Sequence, residues 1–271
     1  MRILMMLLLL FSRMAFAAEI EPKIANPSLI RIIPVEPTPE ADNVTCKIVF
    51  PREGQSVYNP VKLQFQLRGF PVGVGSDFER KKEIFDDPNG QSLLVFVDNY
   101  QPIEIYESFL DALDDSNLYF DLTLTTTLPF YLNEGMHVIR AFPDRSYGES
   151  LKGKGCFAAG IFYIGGAQNN LNVNLNAPYL TYNEPLETLV YPEGRPLLLD
   201  FYISNIQLSK DGYKVRVVID GNIERTLTSW VPYYIYGLPI GMHSIRLQLL
   251  DEKNQIVPGL FNDVIRSIRI Q

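Results

Sequence analysis

The phrase Gly-Met-His occurs twice in this chain, as "GMHVIRAFPD" from Gly135 and as "GMHSIRLQLLD" from Gly241, and the two copies hold both histidines of the protein, His137 and His243. The similarity extends well beyond the phrase. Upstream, "FPREGQSVYNPVKLQFQL" matches "VYPEGRPLLLDFYI". Each has Pro, then Glu-Gly, then an alternating apolar run: Val61, Leu63, Phe65 and Leu67 against Leu197, Leu199, Phe201 and Ile203. "LLVFVDN" then matches "KVRVVIDG", both ending on Asp with Asn or Gly, a tight-hairpin signal. "CFAAGIFYI" and "DVIRSIRI" close the copies. Matching segments in the same order mark an internal duplication. That constrains the fold more than any single motif, because both copies must build the same unit.

The unit is built of strands. Its segments are short, alternate between apolar and polar residues, and are separated by turns about every ten residues, the spacing of an all-β sandwich. Composition agrees: 15 Tyr and 16 Phe suit a pleated surface, and 19 Pro with 18 Gly supply turns and few places for a long helix. The first copy carries two insertions that the second lacks, residues 68–91 and 101–116. Within the latter region "IYESFLDALDDSNL" (105–118) is the one short helical candidate, with Phe109, Leu110 and Leu113 on one side. Insertions of this kind lie on the surface and either carry the specific function of a scaffold or are tolerated decoration.

The N-terminus reads as a signal peptide. Arg2 is followed by an apolar run from Ile3 to Phe11 and by Ala15-Phe16-Ala17, a small-x-small cleavage pattern, so residues 1–17 are expected to be removed. The apolar run is too short to span a bilayer, and no other segment reaches eighteen consecutive apolar residues. The expected product is secreted, periplasmic or displayed at the cell surface, with no membrane span after cleavage. Residues 18–43, with Pro22, Pro27, Pro34, Pro37 and Pro39, read as an extended leader. The first sandwich is expected over 44–166 and the second over 177–271, with the Asn-rich stretch 167–176 as a linker.

The succession of Pro-x-Glu-Gly, an aliphatic strand, a strand ending in Asp-Gly, and Leu-x-x-Gly-x-His-x-(Ile/Val) resembles the tandem immunoglobulin-like and fibronectin type III-like domains of bacteria. The positions that carry it are Leu132, Gly135, His137, Ile139 and Asp144 in the first copy, and Leu238, Gly241, His243, Ile245 and Asp251 in the second. The resemblance implies two tandem immunoglobulin-like β-sandwich domains and no particular activity. It also implies that the histidines are structural: the Gly turns a corner between sheets, and the imidazole bonds backbone there with one donor and one acceptor, uncharged. In such sandwiches the two ends of the chain lie side by side. Cys46 opens the first strand and Cys156 the last, so an exported protein is expected to join them in a disulfide, with a free buried pair as the alternative.

No catalytic or metal-binding set can be assembled from the sequence. Outside the shared phrase the copies have no matching Ser, Cys or Thr to serve as a nucleophile, and one histidine per half gives no zinc spacing. Asp111, Asp114, Asp115 and Asn117 lack the spacing and glycine of a calcium loop. No metal or cofactor is therefore expected, and a net charge of −7 argues against nucleic acid. An enzyme would need a carboxylate pair such as Asp86 or Asp87 with Glu104 or Glu107. The preferred reading is a non-enzymatic module that binds or assembles with another envelope or extracellular protein. Its surface is expected on the insertions, through Phe70, Phe78, Phe85, Tyr106 and Phe109. The alternative is a carbohydrate-binding module using Trp230, Tyr234 and Tyr236; alternation places Tyr234 and Tyr236 on one face and Tyr233 on the other.

Overall fold

The computed structural model describes residues 29–107, 121–166 and 173–271. Among them the chain forms seventeen strands and one turn of 3-10 helix, Glu79–Lys82. The first strand, β1 (Arg31–Pro34), is followed by β2 (Thr45–Phe50), β3 (Gln55–Val57), β4 (Lys62–Arg68), β5 (Ser92–Val97), β6 (Ile103–Ile105), β7 (Asp121–Thr127), β8 (Gly135–Asp144) and β9 (Ala158–Ile164). The second repeat follows as β10 (Tyr179–Glu184), β11 (Val190–Tyr191), β12 (Leu197–Ser204), β13 (Lys214–Ile219), β14 (Ile223–Leu227), β15 (Tyr233–Tyr236), β16 (Gly241–Leu250) and β17 (Asp263–Ile270).

The strand order of the first repeat recurs in the second, although the Pro-Glu-Gly match is out of register: residues 51–54 precede β3, whereas residues 192–194 follow its counterpart β11. One sheet of the first repeat runs β2-β4-β7 and the other β3-β9-β8-β5-β6; the second repeat has β10-β12-β15 and β11-β17-β16-β13-β14. In each repeat the opening strand is split: its first half pairs antiparallel in one sheet, and its second half crosses to pair parallel in the other. This is the immunoglobulin-like sandwich, twice. Alternation decides what lies inside. In β4, Leu63, Phe65 and Leu67 point into the first core while Gln64 and Gln66 point away. Leu197, Leu199, Phe201 and Ile203 of β12 fill the second core in the same way.

One expectation is revised. The leader is extended, as its prolines demand, but it does not stand apart from the repeats. β1 pairs antiparallel with β15, Arg31 opposite Tyr236 and Pro34 opposite Tyr233, and so adds a fourth strand to the second repeat. Ile30 is buried in that repeat's core. The leader then runs back to the first repeat, where Thr38 bonds Glu149 and Tyr147, and Glu40 accepts the backbone N–H groups of Lys152 and Gly153. The helical candidate at 105–118 begins in strand: Ile105 closes β6, and residues 108–118 lie outside the described residues.

Alternation also fails in four strands, and the failure is informative. Every residue of β5, β8, β10 and β12 is buried. Their inner faces line the two cores. Their outer faces meet one another, so that the sheet of β5 and β8 is laid against the sheet of β10 and β12.

Candidate functional site

Both histidines sit in the same cage. His137 Nδ1 lies 2.7 Å from Asp98 Oδ2, and its Nε2 lies 2.8 Å from the Asn133 carbonyl. His243 repeats this at 2.8 Å from Asp220 Oδ2 and 2.8 Å from the Pro239 carbonyl. The other oxygen of each aspartate accepts the N–H of the residue after the histidine, Val138 or Ser244. Asp98 and Asp220 occupy the left-handed region at the hairpin turns after β5 and β13, and Gly135 and Gly241 take positive φ where the corner enters β8 and β16. Each histidine thus ties the aspartate of a hairpin turn to the backbone just before its own strand. Each ring has an acceptor at both nitrogens, a carboxylate and a backbone carbonyl, where the resemblance implied one donor and one acceptor. Burial pulls the His137 pKa down, but the bonds to Asp98 and Asn133 outweigh it and leave the value above the usual one.

The seam between the repeats is the feature that sequence reasoning missed. Its apolar part is a run of aromatic rings: Phe96 on Phe142, Phe142 on Tyr202 at 5.4 Å, Phe157 on Tyr202 at 4.5 Å, and Trp230 edge-on to Tyr202 at 4.9 Å. Two arginines are buried beside it, and among the described residues neither has a carboxylate partner. Arg140 lies 3.5 Å over the Phe261 ring and donates to Thr181 Oγ1 and the Asp98 carbonyl. Arg266 donates to the carbonyls of Tyr182, Asn183 and Pro185. Burial lowers both arginine pKa values, Arg140 to about 9.

Farther along, the seam is acidic. Asp200 of β12 reaches across to Lys152 at 2.6 Å and accepts from Ser150 and from Asn183 Nδ2 at 2.8 Å. Asn183 Nδ2 also contacts Asp144 Oδ1 at 3.2 Å. Glu184 accepts the Tyr191 hydroxyl at 2.7 Å and the Leu186 N–H at 3.2 Å, both on Oε2. Gly148 leaves room for this carboxyl, since a Cβ there would come within 2.6 Å of Glu184 Cγ. Burial, reinforced by the neighbouring acids, pushes Glu184 up to about 8 and Asp144 well above the carboxylate range. Asp87 and Glu104, the candidate catalytic carboxylates, do converge on this region. Tyr106 donates to Asp87 at 2.7 Å, and burial raises the Glu104 pKa. Asp86 instead accepts the Ser146 hydroxyl, and Glu107 is exposed. The cavity that Asp87, Glu104, Asp144 and Glu184 line measures ≈ 20 Å³, room for about one water. Among the described residues no group of three or more His, Cys, Asp and Glu is arranged to hold a metal ion.

The residues expected to form a binding surface are mostly consumed internally. Phe70 is in the first core. Phe78 packs with Ile84 and Tyr147 against Leu198 and Tyr234 of the second repeat, and Phe85 packs edge-on against Tyr191. Tyr106 is half-buried, and Phe109 lies outside the described residues. Insertion 68–91 therefore belongs to the seam, because its aromatics find more apolar area there than solvent offers. Trp230 is half-buried and gives its indole N–H to the Phe201 carbonyl at 2.8 Å. Tyr233 and Tyr234 do point to opposite faces, and both faces are covered, one by the core and one by the seam. Tyr236 is half-buried, with Arg31 over its ring.

The expected disulfide is absent: Cys46 and Cys156 are buried free thiols. The strand ends do lie side by side, with the Cys46 N–H donating to the Gly155 carbonyl, but the Cys156 thiol turns to the Val44 carbonyl. Burial pushes the Cys46 thiol up to about 12 and the Cys156 thiol up to about 11, so both are held protonated in the folded protein.

No protein-family model and no curated protein matches this sequence. Solved structures with a related arrangement include fibronectin(III)-like modules of CbhA from Clostridium thermocellum, at 13% identity and a TM-score of 0.28, covering 84% of this chain and 94% of that one. Dimeric latent PorU from Porphyromonas gingivalis aligns at 11% identity and a TM-score of 0.29, over 90% of this chain and 20% of its own. The Bacteroides ovatus glucan-utilisation protein SGBP-B, solved with a mixed-linkage heptasaccharide, aligns at 15% and 0.18, over 89% of this chain and 47% of its own. The fold class therefore rests on the sheet topology: this is a tandem immunoglobulin-like sandwich. No helix among the described residues is long and apolar enough to cross a membrane.

Proposed function

We propose that this chain is an exported, non-enzymatic module whose two repeats act as one unit to bind or assemble with another envelope or extracellular protein. The observation that carries the reading is the seam. Its carboxylates, arginines and aromatics are committed to contacts within the protein, and the cavity that Asp87, Glu104, Asp144 and Glu184 line has room for about one water. An arrangement of that kind holds two sandwiches at a fixed spacing and angle, which is what a binding or assembly scaffold needs. Export rests on the N-terminal pattern of residues 1–17.

A glycan ligand held by Trp230 is less well supported, since that side chain and its tyrosine neighbours are packed internally. The experiment is to use the mature chain as bait, with chemical cross-linking, in the native envelope fraction and the medium. A stoichiometric partner protein is the expected outcome. Turnover of a glycoside, ester or peptide substrate that vanishes in Asp87→Asn or Glu104→Gln would overturn the reading.

A further inference from the structure

Among the described residues, the exposed aromatics are gathered at one end of the first repeat. Tyr58 and Tyr131 are 79% and 74% exposed. Their loops are clamped together by Asn59, whose side chain donates to the Leu132 carbonyl at 2.7 Å and accepts the Leu132 N–H at 3.1 Å. Next to Tyr131, Phe130 is half-buried on the core and carries Tyr100 stacked on it, ring centroids 4.5 Å apart and 15° from parallel. Tyr100 is itself exposed. Three loops thus bring these rings to the end of the repeat that holds the His137 corner.

The second repeat shows what the sandwich requires at this end. With Gly135 aligned on Gly241 and Asp98 on Asp220, Tyr131 corresponds to Gly237 and Tyr100 to Asn222. The same corner closes there around His243 without those rings. Gly237 is moreover needed bare, because a Cβ would lie 2.3 Å from the Leu29 carbonyl of the docked leader. The second corner is covered by the leader, whereas the first presents rings.

We infer that this face, Tyr58, Tyr100, Phe130 and Tyr131, is a binding site for a neutral glycan chain. The inference goes beyond the protein-binding reading and rests only on the chain being an exported, non-enzymatic module. The chemistry of the patch selects the ligand. The loop residues 58–60, 99–102 and 129–133 hold Tyr, Phe, Asn, Gln, Pro and Leu and not one charged residue. Such a surface offers nothing to a phosphate or an anionic membrane, and acidic groups adjoin it, the exposed Glu134 next to Asn133 and Glu187, which accepts from Gln101. It suits a polyhydroxylated ring, whose C–H face stacks on an aromatic π face while its hydroxyls meet phenols and amides. Asn133 is exposed beside Tyr131 and supplies such an amide. The Asn59 clamp and the Tyr100–Phe130 stack order the site before the ligand arrives, which lowers the entropy lost on binding.

The test is affinity electrophoresis of the full mature chain in gels containing hydroxyethylcellulose, xylan, laminarin or galactomannan. At least one should retard the protein, and Tyr100→Ala and Tyr131→Ser should each weaken that retardation by about tenfold at an unchanged melting temperature. Tyr131 is exposed, so its variant stays informative if loss of the Tyr100 stack disturbs the fold. Retardation by none of the four, or retardation kept in the folded Tyr131→Ser and double variants, would overturn the inference. A protein partner captured without any glycan retardation would sink the glycan and leave the module reading standing. Enzymatic turnover lost in the Asp87 or Glu104 variants would sink the module reading instead.

Discussion

Glu184→Gln isolates one proton in the seam. Glu184 ends β10, is fully desolvated, and has its pKa raised by burial to about 8, against 4.5 for an exposed carboxyl. Between those values the folded protein keeps a proton that the unfolded chain has released. Stability from this group is therefore complete below the unfolded value and is lost as pH rises towards the folded one. Each proton of difference is about 1.4 kcal/mol per pH unit, so from pH 5 to 8 the wild-type protein should lose roughly 3–4 kcal/mol through Glu184. Gln keeps an acceptor for Tyr191 and Leu186 and cannot titrate. Asp144, also raised by burial, keeps its own share of the slope in both proteins. Urea unfolding at pH 5, 6, 7 and 8 should give the variant a slope shallower by one proton, with the curves crossing so that the variant is the more stable at pH 8. Parallel curves would refute the reasoning, because they would mean that Glu184 is ionised and solvated in the folded state.

Other outcomes follow from features on the same scale. His137→Ala should lower stability by about 1–3 kcal/mol, as loss of a buried hydrogen-bonding group does. Because the folded His137 pKa is raised, the loss should be largest in acid and fade as pH rises past about 6.5, with thermal melts at pH 5 and 8 as the check. Ile30→Ala should cost about 2–5 kcal/mol in urea unfolding, although residue 30 lies far in sequence from the repeat whose core it fills. Cys46 and Cys156 should resist a thiol reagent in the native protein and both react in denaturant; two unreactive sulfurs in denaturant would mean that a disulfide forms after all.

What was legible in the sequence was whatever each repeat does for itself. Alternation in "VKLQFQL" and "LLLDFYI" gives the inner faces directly, and the recurrence of Gly-Met-His marks the corner. The partner of each histidine was also in view, since both preceding strands end at an aspartate at the same place in the repeat. The seam was hidden because contact between copies leaves no period. Leu198, Asp200 and Tyr202 occupy outward positions of β12, and an outward Asp between two apolar residues reads as an ordinary exposed strand until a second sheet lies on it. The same holds for insertion 68–91, whose Phe78 and Phe85 look like an exposed patch when their covering surface comes from beyond residue 180. Cysteine counting and export address redox chemistry, not the direction in which two buried thiols point.

The placement of β1 ties the order of synthesis to the order of assembly. Arg31 pairs with Tyr236, a contact across roughly two hundred residues, so a segment that leaves the ribosome before the first repeat belongs to a sheet of the second. Until β15 exists, "IRII" is an unclaimed sticky strand, and once β15 exists its edge stays open until that strand arrives. The two repeats are consequently not interchangeable beads. A fragment beginning at residue 177 would present a bare edge at β15 and an empty place where Ile30 sits, and would be expected to associate with itself. The first repeat cut out alone would carry the missing strand with it, ready to insert into whichever copy of the second repeat it met first.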